Sequence, residues 1–135
     1  MNDTTTTLAE ISRAVQQFSN DRDWARFHSP RNLAMALSVE ANELLELFLW
    51  STDDGPQPAV EARRPRVAEE AADVLICLVN LCHRADIDLA AAVEEKLGTA
   101  AEKYPVERVT GQALKYNEYP DWQRDPTQRG QTSGG

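Results

Sequence analysis

Residues 33–47 read LAMALSVEANELLEL, and this stretch decides the fold. Leucine recurs at positions 33, 37, 44 and 47, with the steps of four and three residues that place side chains on one face of an α-helix. The position between the two leucine pairs is Glu40, and Glu43 lies one turn further along the same side. The pattern predicts a helix whose core-facing stripe contains a carboxylate.

A second stretch repeats this arrangement. Residues 67–81 read VAEEAADVLICLVNL, and positions 67, 70, 74, 77 and 81 share a mostly apolar helix face. Glu70 interrupts that face, and Asp73 follows one turn later. Between Glu43 and Glu70 lie 26 residues, enough for a loop and two half-helices. We therefore expect the two acid pairs to face each other across a helical hairpin.

The remaining sequence predicts two further helices and almost no strand. Ser29 offers an N-cap to the helix that contains Glu40, with Pro30 at its first position. Residues 51–65 contain three prolines and an Asp-Gly pair, which predict a loop. The predicted helices run from about Thr7 to Asn20, Pro30 to Trp50, Arg66 to Ala85 and Leu89 to Lys103. They indicate an all-α fold, a four-helix antiparallel bundle within one domain of residues 1–120, followed by a disordered polar tail over 121–135.

Composition argues against several classes of function. The 135 residues include 22 acidic and 14 basic side chains, for a formal net charge of −8. This balance disfavours nucleic acid and anionic membrane surfaces as partners, since both attract basic proteins. No apolar run is long enough to span a membrane, and the polar N-terminus is unlike a signal peptide. Cys77 and Cys82 are five residues apart, on different helix faces, so we expect no disulfide between them and a cytoplasmic location.

Carboxylates on a core-facing stripe need an explanation, because burying an unpaired charge is costly. They can be protonated, paired with a basic side chain, or bound to cations. The predicted helices carry Arg31, Arg66 and Arg84 only near their ends, which favours cations. Carboxylate oxygens suit Mg²⁺ or Mn²⁺, whereas the Glu-x-x-His elements of di-iron sites and the Cys/His clusters of zinc sites are missing. A solvated acidic face is the simpler alternative.

Several motifs then occur together along the chain. They are Arg22-Asp23-Trp24, Phe27-His28-x-Pro30-Arg31-Asn32-Leu33, Glu40-x-x-Glu43-Leu44-x-Glu46-Leu47-Phe48-x-Trp50, Glu69-Glu70-x-x-Asp73-Val74-Leu75-Ile76 and Lys103-Tyr104-Pro105-Val106. In this combination the chain resembles the all-α nucleoside triphosphate pyrophosphohydrolases of the MazG-like superfamily, and most of all their dCTP pyrophosphatase branch. The resemblance covers about Leu8 to Pro120.

The resemblance implies an activity and a metal site. The activity is hydrolysis of a nucleoside triphosphate, dCTP or a modified pyrimidine deoxynucleotide, between its α and β phosphates. The products are the monophosphate and pyrophosphate, and the implied role is cleansing of the nucleotide pool. The implied Mg²⁺ ligands are Glu40, Glu43, Glu70 and Asp73. Family members form homodimers or homotetramers whose sites are shared between subunits.

The resemblance also assigns the nucleotide pocket. Trp24, His28 and Trp50 match positions that line it in the family. The chain departs from the family pattern at Val15 and Cys77, where close relatives carry histidine and tyrosine, and at Ala100, where many members carry asparagine.

Each candidate residue has an expected role in this hydrolysis. One carboxylate of Glu40 or Glu43 would orient or deprotonate the attacking water, while Mg²⁺ would offset the charge of the phosphates. Trp24 or Trp50 would stack on the base, with packing as the alternative. His28 would hydrogen-bond a base or phosphate, or lie in a capping segment without that role. Further phosphate contacts are expected from Arg31, Lys96 and Lys103, for which surface ion pairs or solvated side chains are the alternative.

Two other functions are consistent with the same pattern. The chain could form a non-catalytic helical oligomer that binds nucleotide or a protein partner. It could also be a structural bundle with a solvated acidic face. Pyrophosphate release from a nucleotide would separate the enzyme from both.

Overall fold

A computed structural model describes residues 1–49, 58–115 and 118, and the side chains within these ranges except those of 58–62. The described residues contain helices and no strand. The helices are α1 (Leu8–Asn20), a 3₁₀ helix (Trp24–Phe27), α2 (Pro30–Glu46), α3 (Pro58–Arg84), α4 (Leu89–Lys103) and α5 (Val106–Val109). The predicted all-α class, with four long helices, is confirmed.

The first helix begins where its sequence supplies a cap. The Thr7 hydroxyl accepts a hydrogen bond from the Glu10 backbone N–H at 3.2 Å, and the Thr7 N–H donates to Glu10 Oε2 at 2.7 Å. This reciprocal capping box satisfies two backbone groups that an uncapped helix would leave to solvent. Ser29 caps α2 through one such bond, since its Oγ accepts from the Asn32 N–H at 3.1 Å.

Helices α2 and α3 form an antiparallel hairpin that is joined at both ends by arginines of α3. Arg63 Nη1 donates to the carbonyl oxygen of Leu47, just after α2 ends. At the other end, Arg84 Nε donates to the carbonyl oxygen of His28, just before α2 begins, at 2.9 Å. The hairpin predicted from the two acid pairs is therefore present.

Helix α1 contacts α3 through a hydrogen bond between a half-buried glutamine and a buried asparagine. Gln16 Nε2 donates to Asn80 Oδ1 at 3.1 Å, and Asn80 is only 4% exposed. The apolar core around these helices is small, because its buried members are few. Those less than a tenth exposed are Leu33, Leu47, Val79 and Cys82.

The predicted boundaries around the hairpin loop were wrong. Helix α2 ends at Glu46 rather than near Trp50, and a turn follows over 47–49. Helix α3 begins at Pro58 rather than near Arg66, and Pro65 lies inside it. Proline is compatible with the first turn of a helix, and an interior proline removes one backbone hydrogen bond without always ending the helix. Pro58 and Pro65 therefore mark the start and an exposed interior site of α3, while the remainder of the predicted loop, 51–57, lies outside the described residues.

The chain divides into two compact units, Met1–Ala90 and Ala91–Gly135. The first contains α1 to α3 and the start of α4, and the second contains the rest of α4 together with α5. Within the described residues, no helix combines the length and apolar character needed to cross a membrane. The predicted polar tail, 121–135, lies outside the described residues.

Candidate functional site

The helical hairpin brings together three of the four predicted acidic ligands. One carboxylate oxygen each of Glu40, Glu43 and Glu70 lies within 4.8 Å of the others. Glu40 and Glu43 are one turn apart on α2, and Glu70 faces them from α3. Asp73, one turn beyond Glu70, is not a member of this group, although it is half-buried on the same side of α3.

The burial of these acids follows the predicted stripes. Glu70 is 8% exposed and Glu40 is half-buried, as expected of positions between core-facing apolar residues. Glu43 is exposed, so one carboxylate of the group is open to solvent. Two of the three acids are therefore partly or fully withdrawn from solvent, which differs from the fully solvated face that was the simpler alternative.

Crowding of like charges shows in the electrostatics of Glu40. Burial raises the pKa of its carboxyl above the ordinary value, and the charges of Glu43, Asp73 and Glu70 raise this pKa further. Asp73 is thus electrostatically part of the site even though its oxygens lie outside the tight group.

One arginine partly offsets this charge. Arg66 Nη2 lies 3.9 Å from Glu70 Oε1, at the limit of an ion pair, and the Arg66 side chain is 68% exposed. An exposed pair of this length contributes little. The sequence-based expectation that α3 carries arginine only near its ends was wrong, because α3 starts at Pro58 and places Arg63, Arg64 and Arg66 inside the helix.

The acids border a cavity of about 790 Å³ between α1, the 3₁₀ segment, α2 and α3. Glu40 and Asp73 are part of its wall, together with Trp24 and His28. Apolar side chains of α1 and α3, such as Val15 and Ile76, form much of the rest. A concave, mostly apolar cavity with a few polar groups at one side is typical of small-molecule sites.

The indole of Trp24 is held at the cavity by an aromatic and cationic cluster. Its ring meets the Phe18 ring edge-on, with centroids 5.8 Å apart and planes at 73°. The Arg22 guanidinium lies 3.6 Å from the Phe18 ring centroid and 6.0 Å from that of Trp24. Trp24 nevertheless remains 46% exposed, so part of its surface is available for a ligand.

His28 follows the 3₁₀ helix and is half-buried in the cavity wall. Its backbone is fixed from both sides. Its N–H donates to the Ala25 carbonyl at 3.2 Å, and its own carbonyl accepts from Arg84 Nε at 2.9 Å. These contacts hold the backbone from which the imidazole projects.

The other predicted contacts differ in what the structure describes of them. Arg31 is exposed in the first turn of α2 and is not among the residues that line the cavity. Lys96 and Lys103 are exposed residues of α4 within the second unit. Trp50 lies outside the described residues.

Sequence reasoning missed the amides of the cavity wall. Asn80, Asn32 and the apolar Ala36 all line it. Asn80 was overlooked because one polar residue among leucines carries little signal. Its spacing was a usable clue, since positions 73, 77 and 80 share a helix face.

Cys77, one of the positions where the chain departs from the resembling family, is half-buried in the same wall. Burial raises the pKa of its thiol, and the charges of Glu40 and Asp73 raise this pKa further. The side chain is therefore a neutral, small group on the cavity surface.

The donor set fits a hard divalent cation. Three carboxylates converge from two helices, and one of them is open to solvent. Burial first, and the charges of the neighbouring acids second, raise the pKa of Glu40. Oxygen-only ligands with room for water are the environment that Mg²⁺ and Mn²⁺ prefer. The residues present therefore match a divalent metal site.

Comparisons with known proteins agree with this arrangement. The sequence model of the MazG-like family matches residues 35–118, which include all four acids. dCTP pyrophosphatase 1 of Rattus norvegicus is 45% identical over 116 residues, covering 84% of this chain and 68% of the relative. The same protein of Homo sapiens is 44% identical over 116 residues, with the same coverage.

A solved structure is similar in fold as well as sequence. The crystal structure of a pyrophosphatase from Archaeoglobus fulgidus aligns with a TM-score of 0.70 at 37% sequence identity. The alignment covers 78% of this chain and 98% of that protein.

Proposed function

The chain belongs to the MazG-like family, and we propose on that basis that it hydrolyses a nucleoside triphosphate between the α and β phosphates. Water attacks the α-phosphorus, the bond from that phosphorus to the bridging oxygen breaks, and pyrophosphate leaves. The nucleoside monophosphate is the second product. The role we infer is removal of unwanted nucleotides from the pool.

One observation carries this proposal. Three carboxylates meet within 4.8 Å on a helical hairpin, and one of them borders an apolar cavity that also contains Trp24 and His28. A triphosphate needs an acid-rich cation site for its phosphates and an apolar recess for its base. This arrangement offers both within one helical unit.

We propose dCTP, or a pyrimidine deoxynucleotide with a modified base, as the substrate. The relatives named dCTP pyrophosphatase 1 support this choice, since 84% of this chain aligns with them. The exposed part of Trp24 offers a stacking surface for the base, worth about 1–3 kcal/mol in comparable contacts. Trp50 remains a proposed second stacking residue from the resemblance.

The proposed cofactor is Mg²⁺, with Mn²⁺ as a possible substitute. Glu40, Glu43, Glu70 and Asp73 would hold it. When bound, such an ion supplies positive charge to phosphate oxygens and acidifies water. The four acids alone would repel a triphosphate, so a divalent ion also reconciles this site with an anionic substrate.

Individual residues then take distinct roles. Glu43, the exposed acid of the group, would orient the attacking water or accept its proton, with Glu40 as the other candidate. His28 would hydrogen-bond the base or a phosphate. Arg31, Lys96 and Lys103 remain proposed phosphate contacts.

The test is a panel of nucleotides with two product assays. The purified chain is incubated with each dNTP, with Mg²⁺ or with EDTA, and both pyrophosphate and orthophosphate are measured. We expect Mg²⁺-dependent pyrophosphate release, fastest with dCTP or a 5-substituted dCTP. Orthophosphate as the first product would contradict cleavage between the α and β phosphates. Nucleotide-induced thermal stabilisation without turnover would favour the non-catalytic binding protein instead.

We further propose that the chain works as a homodimer or homotetramer in the cytoplasm. Helix α2 buries Leu33 but exposes Met35 by 60% and Val39 by 53%, and Leu49 beyond its end is 50% exposed. Met35 and Val39 are thus exposed apolar side chains one turn apart on the helix that carries two of the acids, and Leu49 follows in the turn after it. Size-exclusion chromatography with light scattering tests the assembly, and Val39→Lys should shift it toward the monomer.

A further inference from the structure

One wall of the cavity carries a buried amide with an unused donor group. Asn80 is 4% exposed and lines the cavity from α3. Across the described residues, its side chain has one hydrogen bond, which Oδ1 accepts from Gln16 Nε2 at 3.1 Å. The two N–H bonds of Asn80 Nδ2 have no protein acceptor in that part of the chain.

This donor opens onto the cavity rather than being sealed in the core. Among the described residues, every side-chain nitrogen or oxygen that is fully buried has a hydrogen-bond partner, so Nδ2, which has none, is accessible to whatever occupies the cavity. Water serves as its acceptor while the cavity holds no ligand. A ligand that displaces this water without offering an acceptor would leave the donor unpaired, at a cost of about 1–3 kcal/mol. The ligand that fits best is therefore one that presents an acceptor to Nδ2.

The hydrogen bond from Gln16 decides which end of the amide meets the ligand. Because Gln16 Nε2 is a donor, it holds Asn80 by its oxygen and leaves the nitrogen for the cavity. Gln16 is itself half-buried on α1, so the orientation is set by a neighbouring helix rather than by the ligand.

The position of Asn80 relative to the acids indicates which part of a nucleotide it meets. Asp73, Cys77 and Asn80 share one face of α3, and seven residues along a helix correspond to about 10.5 Å. The phosphates belong with the acids, so Asn80 lies about two turns further along, toward the nucleoside. A neutral amide among apolar side chains also suits a base better than a charged phosphate.

We propose that Asn80 reads the substrate's base, donating a hydrogen bond from Nδ2 to a ring carbonyl oxygen or ring nitrogen, and that Gln16 is its positioning residue. This inference rests on the proposed hydrolysis of a nucleoside triphosphate and adds a contact to the base. All four bases carry acceptors of this kind, so Asn80 would discriminate by where the acceptor lies on the base, as on the O2 and N3 side of cytosine.

The experiment changes the amide without changing its shape. Gln16→Glu replaces the donor to Asn80 with a carboxylate, which accepts from Nδ2 and turns Oδ1 toward the cavity. Asn80→Asp removes the donor directly. For both variants kcat/KM is measured with each of the four dNTPs, and we expect it to fall by about tenfold or more for dCTP, mainly through KM, with a changed ranking of the four bases. The control is Gln17→Glu, which makes the same replacement at an exposed position of α1 and should keep the wild-type ranking.

The outcomes separate base reading from a structural role. A variant that loses activity equally with all four dNTPs, or that keeps the wild-type ranking, overturns the proposal. If Asn80→Asp fails to fold, Gln16→Glu still decides. Should the wild type release no pyrophosphate from any dNTP, the proposed function itself fails. Calorimetric binding of dCMP to wild type and Gln16→Glu then tests the contact alone, and equal affinities would overturn it.

Discussion

Arg84 Nε donates a hydrogen bond to the carbonyl oxygen of His28 at 2.9 Å, across 56 residues of sequence. This contact ties the end of α3 to the segment that carries Trp24 and His28 into the cavity wall. A long-range hydrogen bond of this kind fixes the aromatic side of the cavity relative to the acidic side.

Replacing Arg84 should therefore weaken nucleotide binding more than turnover. In Arg84→Ala we expect KM for the preferred dNTP to rise about fivefold, equivalent to about 1 kcal/mol for one lost hydrogen bond, with kcat nearly unchanged. Steady-state kinetics measure both values. Arg13→Ala, an exposed arginine of α1, is the control. A lower melting temperature with an unchanged KM would mean that the contact supports the fold only.

Glu43 should be essential for turnover but not for folding. It is exposed, so Glu43→Gln leaves the core intact while removing one charge from the group that meets within 4.8 Å. We expect the rate of pyrophosphate release to fall by at least about 100-fold, since even outer contacts of metal sites carry effects of 10–100-fold. Glu69→Gln, exposed on α3 beside Glu70, should stay within a few-fold of wild type. Full Mg²⁺-dependent turnover in Glu43→Gln would remove the proposed role.

The ionised carboxylate of Glu40 should lower the stability of the fold when no cation is present. Its pKa is raised by burial and by three neighbouring acids, so the folded chain binds a proton there more tightly than the unfolded chain does. Stability measured in EDTA should consequently fall as the pH rises from the ordinary carboxyl pKa through the raised pKa of Glu40. Glu40→Gln should melt higher than wild type in EDTA and lose this pH dependence. Thermal unfolding across pH values around and above the ordinary carboxyl pKa measures both effects, and a lower melting temperature in Glu40→Gln would contradict the account.

Glu10 should make the stability of the fold depend on pH in the opposite direction. The Thr7 backbone N–H and hydroxyl donate to its carboxylate at 2.7 and 2.8 Å and hold its pKa below the ordinary value. The stabilisation from this cap is present above the ordinary carboxyl pKa and is lost as the pH falls through the lowered value. Acid titration of thermal stability should show a smaller loss in Glu10→Gln than in wild type. Identical acid profiles would mean that the capping box does not contribute.

The sequence predicted the elements whose signals are local. Thr7 and Ser29 mark the starts of α1 and α2 through side-chain caps, and the alternating steps of four and three correctly placed Glu40 and Glu70 on inward faces. These features depend only on helix periodicity and on residues within one turn. The convergence of three acids followed from two such helices joined as a hairpin.

The parts that failed depend on context that the pattern does not contain. Pro58 and Pro65 were interpreted as loop residues, although proline also begins helices and is tolerated at exposed interior positions. The earlier start of α3 places Arg63, Arg64 and Arg66 inside the helix rather than at or before its beginning. The role of Asn80 depends on its hydrogen bond with Gln16 on another helix. Pairing of side chains between helices produces no periodic pattern in the sequence, so it could not be predicted.

Helix α2 has different roles on different sides. Leu33 and Leu47 are buried, Glu40 and Glu43 belong to the acid group, and Met35 and Val39 are exposed apolar residues one turn apart. Ser38 and Ala41 are exposed on a further side that carries none of these roles. Saturation mutagenesis should therefore find α2 intolerant at the leucines and the acids and tolerant at Ser38 and Ala41, so evolutionary drift within this helix should concentrate on that side.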